Sequence, residues 1–252
     1  MKKIYSKLSE EIKDSLLVII LLTIIFGYND RNEITTIASW TSNLVFTFIV
    51  VTISVLFLIL GYKLAARYYG NKAKFQLWRI SKLEEKFSMR AFHIPLIKYL
   101  GQIIAILITL LSSGLTYFAA ISTFSTELVS KRKKFREVTG YEDSMTSIIG
   151  ITSSFIALFI FKLANSETGV LVNTWIIIGN LIPFSSLPGS YVLMKSRTSY
   201  IFIAALSLLL LILIGFLPIK LALIISLLLA VIFALVYFRY IEYEKRMFGN
   251  QF

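Results

Sequence analysis

The chain has 252 residues, 57% of them hydrophobic, with 26 basic and 14 acidic residues, one histidine and no cysteine. Long apolar runs recur along it, so lipid is the expected solvent for most of the chain. The lack of cysteine excludes disulfides, iron–sulfur clusters and thiolate zinc sites. The formal charge of +12 fits basic flanks on the cytoplasmic side of membrane helices better than a nucleic-acid surface. No stretch is hydrophilic and long enough to fold alone, so a single membrane domain over residues 1–252 is expected.

Residues Met1–Ser15 carry acids, and no small-x-small site follows Phe26, so this is not read as a signal peptide. Leu16–Phe26 is the first membrane segment, reaching spanning length if Ile12–Tyr28 is helical. A second runs over Leu44–Leu64. Leu96–Phe124 is apolar but interrupted by Ser112-Ser113-Gly114. Further segments are Ser144–Ala164, Val170–Pro183, Tyr200–Leu217 and, after Pro218, Leu221–Phe238. None of the acids falls inside an apolar span; Glu10, Glu11 and Asp14 are read as part of the N-terminal tail.

Basic residues choose between two topologies. If every segment spans, Ala65–Pro95 and Ser125–Asp143 lie on opposite sides, against the positive-inside tendency. If Leu96–Phe124 enters and leaves on one face, the cytoplasm holds four basic residues before Ser15 and eight from Lys63 to Arg90. It also holds five at Lys131–Arg136, Lys195 and Arg197, and three after Phe238, which is 22 of the 26. The expected fold is therefore an all-α polytopic membrane protein in the cell membrane. It has six transmembrane helices, one re-entrant segment at Leu96–Phe124 with its turn at Ser112–Gly114, and both termini cytoplasmic.

Two segments carry a resemblance. One closes the second span, Leu58-Ile59-Leu60-Gly61-Tyr62-Lys63-Leu64-Ala65-Ala66-Arg67-Tyr68-Tyr69-Gly70. The other closes the fifth, Asn180-Leu181-Ile182-Pro183-Phe184-Ser185-Ser186-Leu187-Pro188-Gly189. Together they resemble the site-2 protease family of intramembrane zinc metalloproteases, especially its short, archaeal-type members. Lys63, Ala66, Tyr69 and Gly70 match the continuation of that family's H-E-x-x-H motif, and Lys74–Trp78 is similar to the strand-like stretch that follows it. Asn180, Pro183, Leu187 and Gly189 match N-x-x-P-x-x-x-L-D-G.

In that family two histidines one helical turn apart hold zinc, the adjacent glutamate is the base, and an aspartate completes the site. The matching positions here are Leu58 and Tyr62 for the histidines, Ile59 for the glutamate and Pro188 for the aspartate. Leucine, isoleucine and proline have no metal-binding side chain, and a phenol titrating near pH 10 is a poor ligand. His93 alone makes no site. The resemblance thus implies a pseudoprotease with no catalytic residue, no metal and no cofactor. It implies a region at Asn180, Pro183, Phe184, Ser185, Ser186, Leu187 and Gly189 that binds a transmembrane peptide of a membrane-protein partner. The alternative from another class is a small-solute permease or transporter subunit. Serines at 112, 113, 185 and 186 have no visibly paired base for an alternative hydrolytic mechanism.

Overall fold

The computed structural model describes residues 2–28, 36–79, 99–129, 137–184 and 186–243. Among these the chain is mostly helical. In order come α1 (Lys2–Gly27), α2 (Ile37–Tyr68), β1 (Asn71–Leu77), α3 (Leu100–Leu111), β2 (Ser122–Leu128), α4 (Gly140–Leu163) and α5 (Glu167–Leu181). Then follow α6 (Pro188–Lys195), α7 (Arg197–Leu213) and α8 (Ile219–Tyr237), which continues as a wide turn over Phe238–Tyr243. The backbone divides into two compact units, Met1–Ser190 and Tyr191–Phe252.

Among the described residues three helical stretches are long and apolar enough to cross a membrane, Ile37–Tyr68, Gly140–Leu163 and Ile219–Ile241. The apolar stretches Gly101–Leu111 and Arg197–Leu213 are shorter. The 15 residues of α5 rise only about 22 Å, short of the ~30 Å hydrocarbon core.

Helix starts follow local chemistry. Thr36 and Ser39 form a reciprocal capping box on α2, as do Thr139 and Glu142 on α4. Ser166 and Ser196 accept from the amides of Gly169 and Ser199 at the starts of α5 and α7. Within the helices, hydroxyls that would face lipid or core unpaired bond back to carbonyls one turn earlier, as Thr23 does to Ile19 and Ser54 to Val50.

In the first unit α2 packs against α4, α5 and α1. Val50, Val51, Val55 and Leu58 are buried, as are Ile151, Leu158, Val172 and Ile177. Lipid tails are as apolar as these side chains, so close packing and interhelical hydrogen bonds must hold the helices together. Asn173 Nδ2 donates to Ser54 Oγ at 2.9 Å, bridging α5 and α2 in their buried interior.

The all-α expectation is corrected by one two-stranded antiparallel sheet. Asn71 pairs with Leu128 and Leu77 with Ser122. The strand-like reading of Lys74–Trp78 falls on β1, which begins three residues earlier. The β2 sequence Ser-Thr-Phe-Ser-Thr-Glu-Leu is rich in β-branched and aromatic residues, and its first three residues are buried while the rest are half-buried or exposed.

The apolar segment Leu96–Phe124 does not continue as one helix. Its described part runs as α3 to Leu111, turns through Ser113 and Gly114 in left-handed conformations, and returns extended to β2. Ser112 Oγ accepts from the Thr116 amide and Trp78 N donates to Ile121 O at 2.8 Å, so the irregular backbone finds protein partners. On the return, Tyr117 packs its ring between Phe26 of α1 and Trp175 of α5.

The N-terminal acids belong to a helix, not a tail. On α1, Glu10 pairs with Lys74, Glu11 with Lys63 and Asp14 with Arg79, at 2.8, 2.9 and 2.8 Å. Glu11 Oε1 also accepts from the Phe75 amide at 3.4 Å. Phe75 is opposite Phe124, and the hydrogen-bonded pair is Trp78 with Ile121. Alternation along the ladder therefore turns the Phe75 amide to the outer edge of β1, where α1 covers it.

The second unit contains the antiparallel hairpin of α7 and α8. Buried Ala222, Ser226, Ala230 and Ala234 repeat every four residues along α8, a small-residue face that allows close helix approach.

Candidate functional site

The two motif segments meet. Tyr62 lies in the last two turns of α2 and is 1% exposed. Its hydroxyl donates to Asn180 Oδ1 of α5 at 3.3 Å. Its ring stacks on Phe124 of β2, with centroids 4.6 Å apart and planes 30° apart. The other flank is Gly150 of α4: a Cβ there would stand 2.1 Å from Tyr62 Cε1, so only glycine leaves room for the ring.

Leu58, one turn earlier, is fully buried, and Ile59 is half-buried. Pro188 is buried at the first position of α6, where a proline lacking its N–H is readily accepted. Pro188 and Gly189 thus open a helix and are not part of the loop that follows α5. Gly189 is pressed against α5: a Cβ would meet the Leu181 carbonyl oxygen at 2.4 Å.

The chain between α5 and α6 is anchored to the sheet. Thr123 Oγ1 donates to the Ser186 carbonyl. Leu187 packs in a buried cluster with Trp78 and Ala120. Phe184 meets Trp78 edge to face at 5.6 Å. Ser186 holds a left-handed φ of 66°. Asn180, Leu187 and Gly189 are buried, Ser186 is half-buried, and Pro183 and Phe184 are exposed. Ser185 and His93 lie outside the described residues. The exposed part of the motif is therefore the Pro183–Phe184 corner, while its remaining described residues hold that corner in place.

The donor set decides the chemistry. A zinc centre of the family's type takes three nitrogen or oxygen side chains plus an open position. The positions in question carry two aliphatic side chains, a proline and a phenol whose proton is committed to Asn180. They do not fit the metal. Among the described residues, no three His, Cys, Asp or Glu side chains come together. What the site offers is aromatic surface, a buried phenol–amide bond and ordered backbone.

Sequence reasoning missed Phe124, Thr123, Trp78 and Gly150 as the surroundings of Tyr62 and the 182–187 loop. Neither Phe124 nor Thr123 was legible, because β2 buries Ser122, Thr123 and Phe124 in succession without alternation. Gly150 was visible as a small residue in an apolar run, but its facing Tyr62 was not. Comparison of the chain with protein-family models, with curated proteins and with solved structures finds no match in any of the three.

Proposed function

We propose that this is a non-catalytic, site-2-protease-like membrane protein that binds transmembrane segments of partner proteins, as an adaptor, regulator or assembly partner. The observation that carries the reading is the Tyr62–Asn180 bond. It joins the two segments that the resemblance requires to converge, at a point where neither brings a metal ligand or a base.

In this reading the membrane is crossed six times, with α3 and its return forming a re-entrant segment and both termini in the cytoplasm. Support comes from the sheet register. Asn71 follows the end of α2 and pairs with Leu128, so the chain leaves the return segment beside the point where it left α2. Glu10, Glu11 and Asp14, in the N-terminal half of α1, reach Lys74, Lys63 and Arg79 at that same end, which supports putting that half of α1 on the same side.

The partner is held in extended form. A strand can join an exposed sheet edge through main-chain bonds. The sheet has two strands among the described residues, and α1 covers the outer edge of β1. The β2 side is the one proposed to take a guest, along Ser125–Leu128, where the strand is half-buried or exposed.

The test is photocrosslinking from a probe at Phe184, which is 47% exposed, in intact membranes. Capture of a membrane protein through its apolar segment, blocked by charge placed on the β2 side of the sheet, is expected. Crosslinks to lipid alone, or a stoichiometric zinc in the purified protein that is lost in Tyr62→Phe, would overturn the reading.

A further inference from the structure

The turn from α4 to α5 holds two charges in an otherwise neutral stretch. Lys162 and Glu167 are the only charged residues between Asp143 and Lys195. Each taken alone suits its helix, a cation in the last turn of α4 and an acid in the first turn of α5. Helix ends do not account for their common surroundings. Both line one cavity of about 430 Å³, the size of a small-ligand pocket, together with Asn165, Val170, Leu171 and Thr174. Among the described residues neither side chain has an ion-pair partner, including the other.

The walls of the cavity are fixed by the fold. The Ser166 amide donates to Phe161 O at 2.9 Å and the Asn165 amide to Lys162 O at 3.2 Å, with Asn165 left-handed at a φ of 53°, so the end of α4 is closed by two bonds. The Ser166 hydroxyl accepts from the Gly169 amide, and Gly169 lies so close to Phe161 that a Cβ would stand 2.3 Å from its ring. Beyond the turn, Glu167, Val170, Leu171 and Thr174 share one face of α5, at positions i, i+3, i+4 and i+7. Lys162, Asn165 and Glu167 are exposed, whereas Val170, Leu171 and Thr174 are half-buried. Charge thus stands at the end of a helix long enough to cross a membrane, and a mainly apolar wall follows from it for about 10 Å along α5.

Charge complementarity selects the occupant. An anion alone would be repelled by Glu167 and a cation alone by Lys162, whereas a group carrying both signs satisfies each. The Asn165 amide can donate to one end and accept from the other. The apolar wall suits a chain attached to that group. We propose that this cavity binds one zwitterionic phospholipid of the phosphatidylethanolamine class, its phosphate on Lys162 and its primary ammonium on Glu167. A primary ammonium brings N–H donors to the carboxylate, which a choline headgroup lacks. The site shares no residue with the Tyr62–Asn180 region and does not depend on the peptide-binding reading.

The test is native mass spectrometry of the full-length protein in detergent micelles. The probes are dioleoyl phosphatidylethanolamine, its phosphatidylglycerol and phosphatidylcholine counterparts, and glycerophosphoethanolamine, which has the headgroup without chains. One phosphatidylethanolamine per chain is expected, bound saturably and roughly tenfold more tightly than either other lipid. Glycerophosphoethanolamine should bind more weakly; equal affinity would assign the cavity to a free zwitterion and overturn the lipid occupant. Lys162→Gln should weaken phosphatidylethanolamine binding by roughly tenfold. Glu167→Gln should turn the preference towards phosphatidylglycerol, a change that lost structure would not produce. Circular dichroism checks that both variants fold. Lipid bound to the native protein without headgroup preference, or an unchanged preference in folded Glu167→Gln, overturns the proposal.

Discussion

Tyr62 and Asn180 stand 118 positions apart in sequence and share a buried hydrogen bond of 3.3 Å between α2 and α5. A second bond links the same helices, from Asn173 to Ser54, seven residues earlier on α5 and eight earlier on α2. The two helices therefore run in the same direction, with polar rungs about two helical turns apart. In an apolar setting such rungs favour one register, because sliding by one residue would break both interhelical bonds.

Removing one side of the Tyr62–Asn180 rung should cost more than removing both. Tyr62→Phe leaves Asn180 Oδ1 buried and unpaired, and the expected loss is about 1–2 kcal/mol. Asn180→Leu removes the acceptor of the phenol and should destabilise by a similar amount. A double-mutant cycle measured by unfolding in mixed micelles should give a coupling of about 1 kcal/mol. Additive single effects would show that the bond contributes nothing.

Gly150→Ala should displace the Tyr62 ring. The new methyl would sit within 2.1–2.9 Å of three ring atoms, and overpacking of this kind costs about 1–3 kcal/mol. Shortening the ring to Tyr62→Leu in the same chain should recover part of that loss. A Gly150→Ala variant as stable as the native protein would mean that the ring moves without cost.

The acids of α1 should differ sharply in weight. Glu11 is buried, pairs with Lys63 and receives the Phe75 amide, so Glu11→Ala should destabilise by about 1–3 kcal/mol. Glu10 is exposed, and Glu10→Ala should leave thermal stability unchanged within error. The Lys74 hydrogen bond and charge hold the Glu10 carboxyl below its ordinary value of 4.5. Its small contribution is thus fully present above that value and fades as the pH falls through the lowered one. Salt titration at neutral pH should weaken the Glu10 contact before the Glu11 contact.

Cysteine substitution reads the topology cleanly, since the native chain has no thiol. Lys72→Cys and Val129→Cys flank paired ends of the sheet, and both positions are exposed. Both should react with a membrane-impermeant maleimide from the cytoplasmic side and stay unlabelled from outside. Labelling of the two from opposite faces would replace the re-entrant segment by a full crossing.

The sequence made the apolar helices legible because their period and length are local properties. Helices cover Leu44–Leu64, Ser144–Leu163 and Leu221–Tyr237, as the apolar runs predict. The break at Ser112–Gly114 was also legible, because a left-handed turn there demands small residues. The course of the chain beyond it was not, since strand pairing between residues as far apart as Asn71 and Leu128 leaves no mark in either segment alone. Helix α6 was hidden by its own opening, where Pro188 and Gly189 read as turn residues although proline also begins helices. Of the site, the convergence of Tyr62 with Asn180 could be anticipated from the order of the two motifs. The aromatic partner Phe124 could not, because it comes from the far side of the return segment.

On the proposed reading, the covered edge of β1 sets how many guests the sheet can take. Its Phe75 amide ends on a carboxylate of the same chain, and a carboxylate offers no donor with which the ladder could propagate. A strand that joins has one flank to join, so occupancy stops at one guest per chain. Among the described residues the sheet then has at most one edge to offer, which disfavours edge-to-edge linking of copies into a continuous ribbon. Crowding in the membrane can raise the number of encounters without turning them into polymers.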